Sequence, residues 1–522
     1  MNKLFGKGKV LITYVSVLAI LAVSVLSVFM SASFDVLAED TEDEDAVVTY
    51  PLNGKYDADY SEVSGSGIYY ESVDFDKKTR IDKFTGFDVN FCIDENTEGN
   101  GTASTPYIIK TANQFAAVVT GNLKDEKGNF INTEGMAFKI ADDVYGFNLN
   151  NTGSDFDFSK DGITAKEVEA QLKDATVIKN DDVDLTWNSQ KPFKGRFDGN
   201  GACVFGLKAE TTYASVFPQI SGNITVKNLT IKNSKLNVGE KPSAGFIGGY
   251  IGTANKPGLV ENVHIIDCEI SGTSSTYGGL GGNAREATIK NCSVDVVIRA
   301  GGPDVGGIAG IGNGTVTIEN CTAEVDIAAQ KDPGGNMRYA GILGYHKGTT
   351  LVVKNCSATG NISCGYSCNT AAGLVGYSGS TTSTLISQCK SSVNLRNDSG
   401  KSLANTGGVE GNHGSTGTCT IENCYTTGEM VLNQRCGGII GAQEKGVVNI
   451  KHSYTTSSLD AFSGLGSIAG AVTELKEKIP EVVRVVTEKR DKPLPKFEMI
   501  ETCPICGAPI VETWARVVGF IT

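Results

Sequence analysis

The residues able to do chemistry in this chain are dominated by cysteine, with 14 Cys beside only 4 His. Cys503 and Cys506, in "CPICG", stand at the spacing with which a tight turn presents two thiolates to one tetrahedral ion such as zinc. They make half a site, because a closed zinc centre needs further ligands and no second Cys-x-x-Cys exists in the sequence. His264, His346, His413 and His452 are scattered, with no His-Glu-x-x-His helix. No Gly-x-Ser-x-Gly nucleophile elbow occurs. Asp295, Asp304, Asp326, Lys354 and Arg396 could line a polysaccharide-cleaving face, the competing reading being a solvated charged surface. "DFDFSKDG" and "NDDVDL" are carboxylate-rich but lack the ligand pattern of a calcium loop. The sequence therefore assigns no catalytic residue and no resident cofactor. Zinc at the tail is the one metal a motif suggests, and calcium has no motif behind it.

The remaining cysteines mark a repeat. Cys292, Cys321, Cys356, Cys389 and Cys424 follow one another at intervals of 29, 35, 33 and 35 residues, inside "ATIKNCSVDVVI", "VTIENCTAEVDI", "LVVKNCSATGNI", "TLISQCKSSVNL" and "CTIENCYTTGEMVL". Weaker copies occur at "VKNLTIKNSKL", "LVENVHIIDCEI" and "NIKHSYTTSSL". Between the copies runs a glycine-rich element such as "VGGIAGIGNG", "AGLVGYSGS" or "GGIIGAQEKG". Self-similarity at a period near 30 residues is the signature of a solenoid. Val, Ile and Thr alternate strictly, and the glycine density would weaken any helix, so the repeating unit is built of strands. Only Pro303 and Pro333 fall between residues 258 and 472, as a ladder of paired strands requires.

Parity locates a corner. Val316 and Ile318 point inward on alternate residues, and so do Cys321, Ala323, Val325 and Ile327, but the two sets are out of step across Asn320-Cys321. Asparagine suits such a corner because it tolerates left-handed backbone geometry. Stacked turns would align Asn228, Asn262, Asn291, Asn320, Asn355 and Asn423 into an amide ladder, each bonding its neighbours above and below. Cys292, Cys321, Cys356, Cys389 and Cys424 would form a column of free thiols, each a small hydrophobe opening the next strand. Parallel side chains in register rarely reach disulfide torsion. Cys364 with Cys368, and Cys419 with Cys436, are the better disulfide candidates. In the glycine-rich element a lone branched aliphatic fills the core while its glycines allow tight turning. Tyr250, Tyr277, Tyr339, Tyr345, Tyr366 and Tyr377 lie near these elements and could offer flat contact surfaces, or pack under loops.

The two ends differ from the middle. Lys3, Lys7 and Lys9 precede an apolar run from Val10 to Met30 and a small-x-small site at Val36-Leu37-Ala38, the pattern of a secretory signal, or of an N-terminal anchor if uncleaved. Five of the 13 prolines fall after Val472, where balanced charge replaces glycine. The organisation expected is a signal at 1–38, an acidic leader at 39–98, a capping region with a short helix opened by Thr111 at 99–215, the β-solenoid at 216–472, and a charged tail at 473–522. The formal net charge of −13, without a basic stripe, argues against nucleic acid as a partner.

From about Ala244 to Val472 these units resemble the GLUG-motif repeats of bacterial surface proteins, written as a Gly-Gly-aliphatic-x-Gly strand and then an aliphatic-x-Asn-Cys strand. "GNGTASTPYIIKTANQFAAVV" and "KPFKGRFDGNGACVFGL" are similar to the segments that precede the first turns in such proteins. The resemblance implies an all-β parallel solenoid at the cell surface or outside the cell, acting as a stalk, an adhesin or an accessory module. Such repeats also occur upstream of metallopeptidase domains, including immunoglobulin-cleaving ones. The final 20 or so residues resemble the C-terminal zinc ribbon of anaerobic ribonucleotide reductases, with the second Cys pair missing. The function expected is adhesion or structural ligand binding to a surface glycan or extracellular protein. A glycan-active enzyme on the solenoid face and a non-binding spacer are the alternatives. Membrane contact is expected only through an uncleaved N-terminal segment.

Overall fold

A computed structural model describes residues 77–149 and 192–472, apart from 79, 85–91, 95 and short internal segments of which 397–402 is the longest. The signal, the acidic leader up to residue 76, the carboxylate-rich loops, Tyr366 and the Cys503/Cys506 tail lie outside the described residues. Within them the chain is a parallel β-solenoid of about eight turns. No described helix is long and apolar enough to cross a membrane.

One turn illustrates the rest. Strands Met337–Ala340, Leu343–His346, Thr350–Lys354 and Ser357–Ser363 follow one another around the axis, and each pairs in parallel with its counterpart one turn later. The turn therefore has four sides. We call the side of Thr350–Lys354 sheet A, that of Ser357–Ser363 sheet B, that of Met337–Ala340 sheet C and that of Leu343–His346 sheet D. The alternating element of the sequence bends once at Asn-Cys to give A and B. The glycine-rich element bends too, splitting into C and D. A Cβ on Gly341 at that bend would run into the Gly373 carbonyl oxygen of the next turn and the Ala358 methyl, so only glycine lets successive turns close there.

The core is a set of stacked columns. Val226, Val260, Ile289, Ile318, Val353, Ile386, Ile421 and Ile450 lie in one register on sheet A, and the first seven are fully buried. On the outward side of the same strands, Asp198, Lys227, Glu261, Lys290, Glu319 and Lys354 align with alternating sign. Lys227 reaches Asp198 at 3.1 Å and Lys290 reaches Glu261 at 2.8 Å. A one-residue slip would bury these charges, and a one-turn slip would set like charges side by side, so this column enforces register.

The amino-terminal end is plugged. Helix α1, Ala112–Val119, opens at Thr111 with a capping box in which Thr111 and Gln114 satisfy each other's backbone N–H. It buries Phe115, whose ring packs 5.4 Å from Phe147 and 5.6 Å from Phe197. Tyr107–Ile109, Ala137–Ile140 and Arg196–Phe205 stack on the same ladder as the later turns, so the coil already runs through the capping region. The segment "FKIADDVYGF" contributes to two strands, Ala137–Ile140 and Val144–Asn148.

Candidate functional site

The corner between sheets A and B is where the sequence concentrated its unusual residues. Asn228, Asn262, Asn291, Asn320, Asn355 and Asn423 all have left-handed backbone, with φ between 49° and 55°. Gln388 (φ 55°) and His452 (φ 46°) take the same position in their own turns. The amide ladder runs in two stretches rather than one. Asn262 Nδ2 donates to Asn228 Oδ1 at 3.1 Å, and Asn228 Nδ2 to Asp198 Oδ1 at 3.0 Å. Farther along, Asn355 Nδ2 donates to Asn320 Oδ1 at 2.9 Å and Asn320 Nδ2 to Asn291 Oδ1 at 3.0 Å. Each of these four amides donates toward the preceding turn, so a carboxylate can serve at the head of a stretch, as Asp198 does.

From Asn291 to Asn423 the residue after the corner is cysteine, and it is more than a small hydrophobe. Cys321 Sγ donates to the Glu319 carbonyl at 3.1 Å and to the Ile289 carbonyl of the preceding turn at 3.7 Å. Cys292, Cys356, Cys389 and Cys424 repeat this pattern. Ser453, in the same column, makes this donation through its hydroxyl to Lys451, and Ser234 does likewise to Lys232 at the left-handed Asn233 within sheet B. The corner thus exposes a carbonyl to the dry interior, and a short S–H or O–H donor answers it. These thiols are buried and free, and burial pushes Cys321, Cys356 and Cys389 well above the usual thiol range, which makes them inert as nucleophiles. Cys364, Cys368, Cys419 and Cys436 are free thiols as well, so neither expected disulfide pair is formed. Burial alone raises Cys436 to about 12.

The charged residues considered for catalysis do not converge. Asp326 pairs with Arg299 at 2.6 Å, Arg396 with Glu429 at 2.6 Å and Lys354 lies 3.9 Å from Glu319. Asp295 sits beside Asp267 and Glu324, and burial followed by those two charges raises it to about 6. Asp304 is buried and holds Arg338 at 2.5 Å. Of the histidines, His264 is buried against Ser293 at 2.7 Å and burial lowers it to about 3, so it stays neutral. His346 is buried with neither ring nitrogen hydrogen-bonded, and burial lowers it to about 4.

The tyrosines divide by face. Tyr277 and Tyr339 are fully buried; the Tyr277 hydroxyl accepts from the Gly301 N–H and the Tyr339 hydroxyl donates to the Gly302 carbonyl. Tyr250, Tyr345 and Tyr377 point outward from sheet D. Tyr345 and Tyr377 occupy one register, with ring centres 5.4 Å apart, and the Arg338 guanidinium lies 3.8 Å over the Tyr345 ring. Asp304 fixes that guanidinium, so two half-exposed rings and one oriented cation form a preset patch along sheets C and D.

A second cluster lies inside the coil and was not visible in the motifs. Glu410 on sheet D occupies the register of Val375 and Ile440, aliphatic in the turns before and after, and is completely buried. Ser378 donates to Glu410 Oε1 and lies 2.7 Å from His413 Nδ1, which is itself 3.7 Å from Glu410 Oε1. Cys419 Sγ is 3.0 Å from Glu410 Oε2, and His413 Nε2 is 3.4 Å from the Gly417 carbonyl. Burial pushes the Glu410 carboxyl up, but His413, Ser378 and Cys419 together hold it below its ordinary value. Burial likewise pulls His413 down and Glu410 raises it above its ordinary value. The signal available in the sequence was "GGVEG" standing where neighbouring repeats read "AGLVG" and "GGIIG".

The chain matches no protein-family model and no curated protein. Among solved structures it is similar to the crystal structure of a candidate immunoglobulin A1 protease from Bacteroides ovatus, at 23% identity over 58% of this chain and 80% of that one, with a TM-score of 0.36.

Proposed function

We propose that this is an exported, GLUG-type surface protein whose solenoid displays a binding patch for a carbohydrate or an extracellular protein. The observation that carries the reading is the Tyr345–Tyr377 pair with Arg338 oriented over it by Asp304. Tyrosine faces bind sugar rings and protein apolar groups at low entropic cost, and an oriented guanidinium adds a donor fork for hydroxyls or carboxylates. The amino-terminal charged and apolar segment supports export. Adhesion fits better than glycan cleavage, because Asp295, Asp304, Asp326, Lys354 and Arg396 are separately engaged rather than paired across a groove.

The alternating charge column on sheet A favours a second reading, a register-locked spacer with no ligand. A glycan and matrix-protein array separates the readings, with the purified chain compared against a Y345A/Y377A double variant and with calcium present or absent. Saturable binding that the double variant loses at least tenfold is the expected result. Binding that the variant keeps refutes the patch. Silence of both proteins leaves the spacer, and release of product makes the chain an enzyme.

A further inference from the structure

We propose that Glu410, His413 and Cys419 form a buried binding site for a divalent transition ion of the zinc class, with Ser378 beside the fourth position. The carboxylate oxygen, imidazole nitrogen and thiol sulfur of the three residues all lie within 4.8 Å of one another. Bonds of about 2.0–2.3 Å from zinc to O, N and S place tetrahedral donors roughly 3.3–3.8 Å apart. The 3.7 Å between Glu410 Oε1 and His413 Nδ1 meets that spacing, and Cys419 Sγ lies 3.0 Å from the other carboxylate oxygen, Oε2, so a turn of the carboxylate or the thiol brings one oxygen, the nitrogen and the sulfur onto a common ion.

The donor chemistry selects the ion. One thiolate, one imidazole and one carboxylate suit zinc or cobalt, whereas calcium and magnesium demand a shell of oxygens that this interior lacks. Charge selects it again. A glutamate, a thiolate and a neutral imidazole around a divalent cation sum to zero, the condition a dry interior imposes on any buried ion. The imidazole is oriented for ligation, since the Gly417 carbonyl faces Nε2 and leaves Nδ1 toward the cluster.

Sequence context argues against mere packing. In the flanking turns the Glu410 register holds Val375 and Ile440, and the Cys419 register holds Thr384 and Val448. An aliphatic core would be at least as stable with valine or isoleucine there, yet one turn introduces a carboxylate, an imidazole and a thiol within mutual reach. The segment 414–418, whose Thr416 and Thr418 are exposed, is the short cover through which an ion would pass, or which would close over it during folding.

The test uses the full chain carrying C503S and C506S, so that the tail thiols cannot contribute. The protein is refolded with chelator or with Co²⁺, desalted, and read for cobalt per chain, for thiolate-to-cobalt absorption and for thermal midpoint. The parent is expected to retain about one cobalt per chain, to show the thiolate band and to melt higher with metal than without. H413Q and C419V copy the residues that the next turn places in those registers, Gln443 and Val448. Each is expected to lose loading at least tenfold and to melt at the same temperature with and without cobalt. S378A, which alters only the neighbour of the ligands, is expected to weaken retention about 10–100-fold. A parent that refolds without retaining cobalt overturns the proposal. So does equal loading in C419V and H413Q, and the cluster is then a buried Glu–His ion pair.

Discussion

The amide ladder makes a directional prediction that ordinary packing does not. Asn320 donates to Asn291 and accepts from Asn355, while in that stretch Asn291 serves as the acceptor at the head. Replacing Asn320 by alanine removes two hydrogen bonds, each worth about 0.5–1.5 kcal/mol net. It also places a residue with a Cβ and no helpful amide at φ 53°, which adds about 1–2 kcal/mol. The expected loss is therefore about 2–5 kcal/mol. N320G loses the same bonds but accepts the backbone geometry without that strain, so it should lose less than N320A, by up to about 1 kcal/mol. The sharper comparison is between aspartates. N320D sets a carboxylate against the Asn291 carbonyl oxygen and should lose more than about 2 kcal/mol, whereas N291D keeps its acceptor role, as Asp198 does beneath Asn228, and should lose less than about 1 kcal/mol. Urea unfolding measures each, with stability taken from the midpoint and with an unchanged slope required before values are compared. Energies in a solenoid are close to sums of local and nearest-neighbour terms, so a corner substitution registers in the whole. Equal losses for N320D and N291D would refute a directional ladder, and an N320G as stable as the parent would show that the amides contribute nothing.

Four further outcomes follow from the same geometry. Eleven of the 14 cysteines are buried free thiols, so alkylation of the native chain should reach no more than the remaining three and should reach all 14 after denaturation, as counted by intact mass. C321S should be tolerated because Ser453 already makes the same donation in that column, while C321V should lose about 1–2 kcal/mol by leaving corner carbonyls short of a donor. Asp295 titrates near 6 in the fold against 3.8 unfolded, so the native state holds its proton longer and stability falls as pH rises from about 4 to about 6, then levels. D295N should remove that fall and be more stable at pH 7 by on the order of 1 kcal/mol after solvent screening, and an unchanged profile between pH 4 and 7 would count against the crowded carboxylates. K290E sets Glu261, residue 290 and Glu319 as three like charges in one column and should lose about 1 kcal/mol, with much of the loss screened in high salt; the same loss at low and high salt would point to packing instead.

Much of the architecture was legible along the chain, because a solenoid repeats its local rules every turn. Alternation named the strands, and the parity break at Asn-Cys named the corner between sheets A and B, where the structure finds Asn320 left-handed and Cys321 buried. The capping helix was equally local, since a Thr followed three residues later by Gln carries its own signature. The second bend, between sheets C and D, was harder. Its glycines were visible, but the reason for them is a carbonyl in the next turn, contributed about 32 residues away at Gly373 for Gly341.

What the residue order determined by itself is the repeat, its strand content and its inward columns, because hydrophobic alternation and turn chemistry act between near neighbours. Which tyrosines face solvent was decided only by stacking: Tyr339 and Tyr345 are six residues apart on either side of the bend between sheets C and D, and one lies in the core and the other at the surface. The same holds for the interior cluster. Ser378 meets Glu410 and His413 across 32 and 35 residues, and Cys419 reaches Glu410 by crossing from sheet A to sheet D through the core. Local pattern cannot express such meetings, since the offset between stacked residues is the sum of every loop length in a turn, and only the closed, register-locked coil sets that sum.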